Sequence, residues 1–157
     1  MSTVSFQSKQ MFFDRQAVID AVGKANARNL SKAGAFVRRA ARSSLRRRKR
    51  VSLPGTPPSV HSRDPVASLK NIWFVFDPVS RSVVVGPLKL NGPVRLRGSN
   101  RTTVPALHEL GGVAVIREGP RRRRRERLAT YPKRPFMGSA MHRELPKFPG
   151  LWANSVK

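Results

Sequence analysis

Residues 14 to 46 read DRQAVIDAVGKANARNLSKAGAFVRRAARSSLR, and this stretch decides the fold. Its apolar and small residues share one arc of a helical wheel when successive residues are placed about 100° apart. That arc contains Val18, Ile19, Val22, Ala25, Leu30, Ala33, Phe36, Val37, Ala40 and Ala41. The opposite arc contains Asp20, Lys24, Arg28, Lys32, Arg38, Arg39, Arg42 and Arg46. The pattern therefore predicts a single amphipathic helix of roughly 50 Å, at about 1.5 Å per residue.

Both ends of this helix are marked in the sequence. Asp14 is a suitable N-cap, because its carboxylate accepts backbone N–H groups that have no partner within the helix. Phe12 and Phe13 precede it, at the place where a hydrophobic staple packs. At Arg47 a charge would turn onto the apolar arc, so we expect the packed helix to end near Arg46. We expect a sheet to pack against the whole continuous apolar face.

The composition restricts the class of protein. A chain of 157 residues suggests one domain, from residue 14 to residue 157, after an N-terminal arm of residues 1–13. With 32 Lys and Arg against 8 Asp and Glu, the net charge is +24, which predicts contact with polyanions. The absence of cysteine excludes disulfides and thiolate chemistry. The N-terminus lacks a signal-peptide pattern and no apolar run is long enough for a membrane span, so we expect no membrane association.

The rest of the chain alternates between extended and helical patterns. Residues 46–65 join a basic run to a proline-rich stretch, which predicts an extended loop. Residues 72–76 and 82–85 predict a hairpin, because β-branched and aromatic side chains dominate both runs. Thr103 predicts the cap of a short helix that ends at Gly111.

The later elements follow the same alternation. They are a loop with at most a short strand (88–101), a second strand pair (113–117 and 128–131), the arginine-rich loop between them (118–127), a helix (136–145) and a C-terminal extension (146–157). The order of helix, hairpin, short helix, hairpin and helix predicts an α+β fold. In it, a long N-terminal helix packs on a small antiparallel sheet of hairpins, and a helix lies near the C-terminus.

Residues suited to catalysis or metal binding do not occur at useful spacings. His108 and Glu109 resemble the start of a zinc-protease motif, but Gly112 occupies the position of the second histidine. His61 and His142 have no neighbouring ligands at metal spacing. No glycine-rich phosphate loop or paired carboxylate set is present. We therefore expect neither an enzyme nor a metal or cofactor site.

Two arginine clusters are the strongest candidates for binding a partner or a DNA backbone. Their residues are Arg38, Arg39, Arg42, Arg46, Arg47, Arg48, Lys49, Arg50, Arg121, Arg122, Arg123, Arg124, Arg125 and Arg127. Guanidinium groups match phosphates and carboxylates alike, so charge alone favours DNA and acidic protein about equally. No aromatic residues are interleaved with these arginines, and no known DNA- or RNA-reading motif is present. Sequence-specific recognition is therefore not expected.

The segment 131–152, YPKRPFMGSAMHRELPKFPGLW, is rich in apolar side chains. Core packing and an exposed assembly surface explain it about equally well. If the chain assembles with partners, this segment and the extended proline-rich loop are suitable elements for reaching them. The predicted assembly contacts are Pro57, Pro58, Arg134, Pro135, Phe136, Met137, Leu151 and Trp152.

Several stretches, taken in order, resemble the phage minor tail or head–tail joining family of neck and tail-completion proteins. They are KAGAFVRRAARSSLRRR (32–48), PGTPPSVHS (54–62), SVVVGP (82–87), VPALHELGG (104–112) and YPKRPFMGSAM (131–141). The related tail-completion family of contractile-tailed phages has a similar ending. The arginine run at 121–125 and the chain after Pro146 depart from the family pattern.

The resemblance implies a non-catalytic structural virion protein with an α+β fold. Such proteins form rings, commonly six-fold, between the head connector and the tail tube. The implied partners are further copies of the chain, connector or adaptor proteins, and tail-tube or tail-terminator proteins. The implied location is the virion, with the host cytoplasm during assembly. Since copies at +24 repel one another, we expect at least one arginine cluster to dock on acidic neck proteins, while another faces DNA.

The charge also fits a second class of protein. A free, non-specific nucleic-acid-binding protein of the nucleoid or packaging type would bind any duplex as a monomer, with steep salt dependence. A ribosomal-type protein fits the charge, but it fits the ordered hairpin and the RPFM helix at 134–137 less well.

Overall fold

The computed structural model describes residues 14–62, 64, 68–88, 90, 93–98, 100–119 and 125–155. The predicted α+β fold is confirmed. The helices are α1 (Arg15–Ser44), α2 (Val104–Leu110), α3 (Met137–Glu144) and α4 (Pro149–Trp152), with a 3-10 turn at Leu145–Lys147. The strands are β1 (Ile72–Asp77), β2 (Ser82–Pro87), β3 (Val94–Arg95), β4 (Arg101–Thr102), β5 (Gly112–Glu118) and β6 (Arg125–Tyr131). The predicted arm at 1–13, with its staple at Phe12 and Phe13, lies outside the described residues.

The described strands pair as three separate two-stranded antiparallel sheets, β1–β2, β3–β4 and β5–β6. The first and third are the two hairpins that the sequence predicts. The middle pair has two residues in each strand and lies within the segment expected to hold at most a short strand. Of these sheets, the β1–β2 hairpin is the one on which α1 packs. The same helix also contacts α3 and α4.

The long helix begins where the sequence predicts. The Asp14 carboxylate accepts the backbone N–H of Ala17 at 3.0 Å, which satisfies one of the unpaired donors of the first turn. The helix ends at Ser44, two residues before the expected position, and Leu45 forms the C-cap with its side chain buried.

The core lies where the second half of α1 meets the β1–β2 hairpin and α3. Its buried residues are Val37, Ala40, Ala41, Leu45, Val60, Leu69, Ile72, Leu90, Phe136 and Ala140. Gly34 marks the closest approach of helix to hairpin: a Cβ there would lie 2.7 Å from Cγ2 of Val83 and 3.1 Å from Cδ2 of Phe74. Glycine is therefore required by the packing at this point.

The prediction that the whole apolar arc of α1 packs on a sheet is wrong for its first turns. Val18, Ile19 and Val22 are exposed, while the apolar residues from Ala33 onward are covered. The reason is length: strands of six residues span about 20 Å, whereas a helix of 30 residues spans about 45 Å. The hairpin therefore covers only part of the helix.

Residues 51–59 of the proline-rich loop form no helix or strand, and the loop is fastened to the distant segment 133–134. The N–H of Gly55 donates to the carbonyl of Lys133 at 2.8 Å. Nε of Arg134 donates to the carbonyl of Ser52 at 3.0 Å. These bonds give a long loop a fixed position beside α3.

Candidate functional site

The arginines in the last turns of α1 do not share one role. Nε of Arg38 donates to the carbonyl of Ile72 at 2.7 Å, and its guanidinium lies 5.7 Å from the Trp73 ring centre. Arg38 therefore ties the helix to β1 through a hydrogen bond and a cation–π contact. Arg39 and Arg42 are exposed and remain candidates for contact with a partner.

Residues 46–50, here called the basic corner, follow the helix with every side chain exposed. The N–H of Val60 donates to the carbonyl of Arg46 at 3.1 Å, and Arg47 forms a parallel bridge with Val60. The backbone is therefore fixed while the charges stay in solvent. Within the described ranges, no ion pair joins a side chain of the corner to a carboxylate. The corner is a concentrated positive surface, and none of the described carboxylates forms an ion pair with it.

The second predicted cluster divides at residue 125. Residues 121–124 lie outside the described part of the chain. Arg125 and Arg127 belong to β6 rather than to a loop, in register with Glu118 and Ile116. This corrects the loop boundaries of 118–127, because the strand pairing extends further than the apolar residues alone indicate. Both arginines are exposed, and alternation along a strand places them on the same face.

The other face of β6 carries a small ionic cluster. Oε1 of Glu126 accepts from Nε of Arg117 at 3.0 Å and lies 3.8 Å from Nη1 of Arg95. All three side chains are largely exposed, so each pair stabilises the fold by less than about 1 kcal/mol. Because two arginines share a single carboxylate, the hairpin keeps an excess of positive charge.

A third cationic surface was not singled out by the sequence reasoning. Lys24, Arg28 and Lys32 occur on successive turns of α1 and line a groove whose other side is formed by Gly150, Leu151 and residues 153–155. Their spacing of four residues was visible in the sequence as part of the polar arc. What the sequence did not reveal is the chain segment that forms the other wall.

The predicted assembly contacts divide between interior and surface. Phe136 is 0% exposed and belongs to the core, and Arg134 is 9% exposed and bonded to the proline-rich loop. Both residues serve the interior of this chain, which corrects their assignment as assembly contacts. Pro58 is also buried. The others keep some accessible surface, and for them the prediction stands: Pro57, Pro135, Met137, Leu151 and Trp152.

Glu109 has a structural role that sequence reasoning missed. Its Oε2 accepts the backbone N–H groups of Phe136 and Met137 at 2.8 and 3.0 Å, and its Oε1 accepts that of Gly138 at 2.8 Å. A carboxylate at this position satisfies the unpaired donors of α3 and complements the positive end of its dipole. The HEL and RPFM segments are therefore parts of one joint between α2 and α3.

His108 lies beside this joint. Its carbonyl accepts the N–H of Arg134 at 2.8 Å, and its ring meets that of Tyr131 edge-on, with centres 6.0 Å apart. Burial lowers the pKa of His108, and the nearby positive charge of Arg134 lowers it further. Nδ1 is buried with no hydrogen-bond partner among the described atoms. The surroundings of the imidazole thus disfavour its protonated form.

The surface also displays apolar groups. Trp73, Val75 and Val84 are exposed on the outer face of the β1–β2 hairpin. On the inner side, an open apolar cavity of about 620 Å³ lies between α1, β2 and α3. Exposed apolar surface of this kind is typical of proteins that assemble with partners.

Two kinds of site have no candidate in the part of the chain that the structure describes. Its His, Asp and Glu residues nowhere form a group of three or more suited to a metal ion. None of its helices combines the length and the apolar character needed to cross a bilayer. Comparisons with protein families, curated proteins and solved structures found no match for this chain.

Proposed function

We propose that this chain is a structural protein of a phage neck that forms a ring between the DNA-filled head and the tail and completes the tail end. It acts without catalysis, in the virion, after assembly in the host cytoplasm. Its neighbours are other copies of the chain, connector or adaptor proteins, and tail-tube or terminator proteins.

The observation that carries this proposal is exposed charged and apolar surface that is not paired or covered within the described part of the chain. The basic corner has no counter-charge within the described residues, and apolar side chains are exposed on the hairpin and on the first turns of α1. These features lie on different elements. A ring built from heterologous contacts needs different surfaces on each side of a subunit.

The resemblance supports the same proposal. The α+β arrangement that it implies is the one observed, and two of its weak motifs meet through the Glu109 carboxylate. Short segments that contact one another across 27 residues form one structural unit. The order of these two motifs in the sequence therefore corresponds to a contact in the fold.

Oligomeric state is the decisive measurement. We expect mass photometry of the purified chain at high salt, where repulsion between copies is screened, to reveal a closed ring, commonly six-fold. A chain that forms rings only when connector protein is added also agrees with the proposal. A strictly monomeric chain that is absent from purified virions contradicts it.

The basic corner favours a second candidate, non-specific binding of nucleic acid. Five exposed cations in sequence would neutralise several phosphates, so the affinity for any duplex would fall steeply with salt. The two candidates differ in where that affinity matters. Neutralising residues 46–50 and 121–125 with serine abolishes attachment to heads if these clusters dock on acidic neck proteins, and unchanged attachment contradicts docking.

A further inference from the structure

A cationic groove lies apart from the two arginine clusters. Lys24, Arg28 and Lys32 form one wall, on three successive turns of α1, and Gly150, Leu151 and residues 153–155 form the other. The groove has a volume of about 640 Å³. The three cations are exposed, and no carboxylate among the described residues lies within ion-pair distance of them. The groove is thus positive and open.

The amide among these cations does not supply a contact. Asn29 lines the groove, but it is only 3% exposed and the accessible surface of its Nδ2 is below 1 Å². A ligand in the groove therefore meets the cations and not this amide. Three exposed cations with no carboxylate within ion-pair distance among the described residues favour a ligand with anionic oxygens.

The shape of the groove favours an acidic peptide over nucleic acid. Its lining has no aromatic side chain, so it offers single-stranded bases no surface for stacking. It is a concave channel bounded by two chain segments, whereas elements that read duplex DNA protrude into its grooves. Ala21, Ala25 and Leu151 give the groove apolar patches that suit the backbone and side-chain stems of a peptide.

We propose that this groove binds an extended acidic segment of a partner protein, with carboxylates at alternate positions. Cations four residues apart on a helix are separated by about 6 Å along its axis. Alternate residues of an extended chain are separated by about 6.6 Å and point the same way. Successive carboxylates of such a segment therefore meet Lys24, Arg28 and Lys32 in turn. The inference stands apart from the neck assignment, since a chain that never forms rings could still bind the peptide.

The test measures binding of a labelled peptide of alternating glutamate and serine, about eight residues long, at physiological ionic strength. We expect the variant Lys24→Gln/Arg28→Gln/Lys32→Gln to bind it at least about tenfold more weakly than the unaltered chain. The matched control, Arg15→Gln/Arg97→Gln/Lys133→Gln, removes the same charge from exposed positions elsewhere. We expect its affinity to fall less than about threefold. Equal losses in the two variants would overturn the proposal, because binding would then depend on net charge alone.

A local reporter separates the groove from the rest of this basic surface. Trp152 lines the cleft next to the groove, and its Nε1 donates to Oδ1 of Asn26 at 3.2 Å. In a Trp73→Phe background, Trp152 is the only tryptophan. The alternating peptide should shift its emission in that background and not once the three groove cations are replaced.

Two further probes complete the test. A peptide of the same composition with its glutamates contiguous should bind more weakly than the alternating one, because its carboxylates do not share one side of an extended chain. Single-stranded DNA should lose no more affinity in the groove variant than in the control. The proposal fails if DNA alone responds to the groove substitutions, or if the emission of Trp152 is insensitive to the peptide.

Discussion

The two halves of α1 carry the same amphipathic pattern, but only the second half has its apolar face buried. In the second half, Ala33, Val37 and Ala41 are buried against the β1–β2 hairpin and α3. In the first half, Val18 and Val22 lie on the same arc and remain exposed. Periodicity thus identifies the apolar face of the helix. It does not say whether another segment of the same chain covers that face.

Small residues are prominent in the second half of α1. Ala33, Gly34, Ala40 and Ala41 are buried there beside Val37, and Gly34 lets the hairpin approach the helix closely. In the first half, Val18, Ile19 and Val22 are exposed, and the polar side of the helix from Lys24 to Lys32 lines the cationic groove. The second half therefore stabilises the fold, while the apolar residues of the first turns are exposed to solvent.

The largest expected contrast comes from truncating one apolar side chain at each end of α1: Leu45, the buried C-cap residue just after the helix, and Val22, in its exposed first turns. Leu45→Ala should lower the free energy of unfolding by about 2–5 kcal/mol, because Leu45 is 1% exposed and its loss leaves a cavity. Val22→Ala, at a position 48% exposed, should change it by less than about 0.5 kcal/mol. Urea unfolding followed by circular dichroism measures both. Similar losses would mean that the first half is also packed within the chain.

The next largest loss of stability is expected at α3, which packs against the buried half of α1. Glu109→Ala should destabilise the chain by about 2–3 kcal/mol, since three N–H groups of the α3 terminus lose a charged acceptor. Glu109→Gln should cost less, because its carbonyl oxygen still accepts. Glu126→Gln is the matched control, as that carboxylate is exposed and its pairs contribute little. If Glu126→Gln lowered the free energy of unfolding as much as Glu109→Gln does, Glu109 would contribute no more to stability than an exposed carboxylate.

Two glycines of α1 allow a sharper comparison. At Gly34 a Cβ meets Val83 at 2.7 Å, so Gly34→Ala should cost about 1–2 kcal/mol despite the better helix propensity of alanine. At Gly23 nothing lies within 4 Å, so Gly23→Ala should stabilise by about 0.5–1 kcal/mol. Thermal melts of the two variants should move in opposite directions. An increase in melting temperature for both variants would show that the hairpin moves away from a Cβ at residue 34 at little cost.

Local signals account for what the sequence predicted well. Asp14 and Thr103 cap their helices as expected, and Gly111 ends α2 in the left-handed region, at φ +75°. Each of these depends on a few neighbouring residues. Turn residues and β-branched runs likewise located both long hairpins.

Contacts between distant segments account for what the sequence did not predict. The joint made by Glu109 connects residues 27 positions apart, and the bond from Arg134 to Ser52 spans 82. Neither leaves a periodic trace. Two further features could not be predicted from the sequence for the same reason. They are the second wall of the cationic groove, at 150–151 and 153–155, and the exposure of the helix face at Val18, since both depend on where other segments end.

The joint should also give the fold a pH dependence. Because burial and Arg134 lower the pKa of His108 below 6.5, the unfolded chain binds a proton more readily than the folded one. Stability is therefore complete above about pH 6.5 and falls as the pH decreases toward the folded pKa, by at most about 1.4 kcal/mol per pH unit. Urea titrations between about pH 7 and pH 5 should show this slope in the unaltered chain and lose it in His108→Gln.

A carboxylate serves as the control for this pH dependence. The hydrogen bond from Lys147 lowers the pKa of Glu144 from its usual 4.5, so its contribution is lost only in more acidic solution. A slope near neutral pH that survives in His108→Gln would have to arise from another group.

The smallest expected change in stability lies in the exposed half of α1. Replacing Val18, Ile19 and Val22 together with serine should alter the free energy of unfolding by less than about 0.5 kcal/mol at each position, because each residue is at least 41% exposed. The same variant should assemble less well if the ring uses this stripe, since exposed apolar surface contributes to association in proportion to the area it buries. Mass photometry at high salt, compared with chemical denaturation of the same sample, separates the two effects. Loss of stability without loss of assembly would place the stripe inside the fold, and would make the two halves of α1 alike.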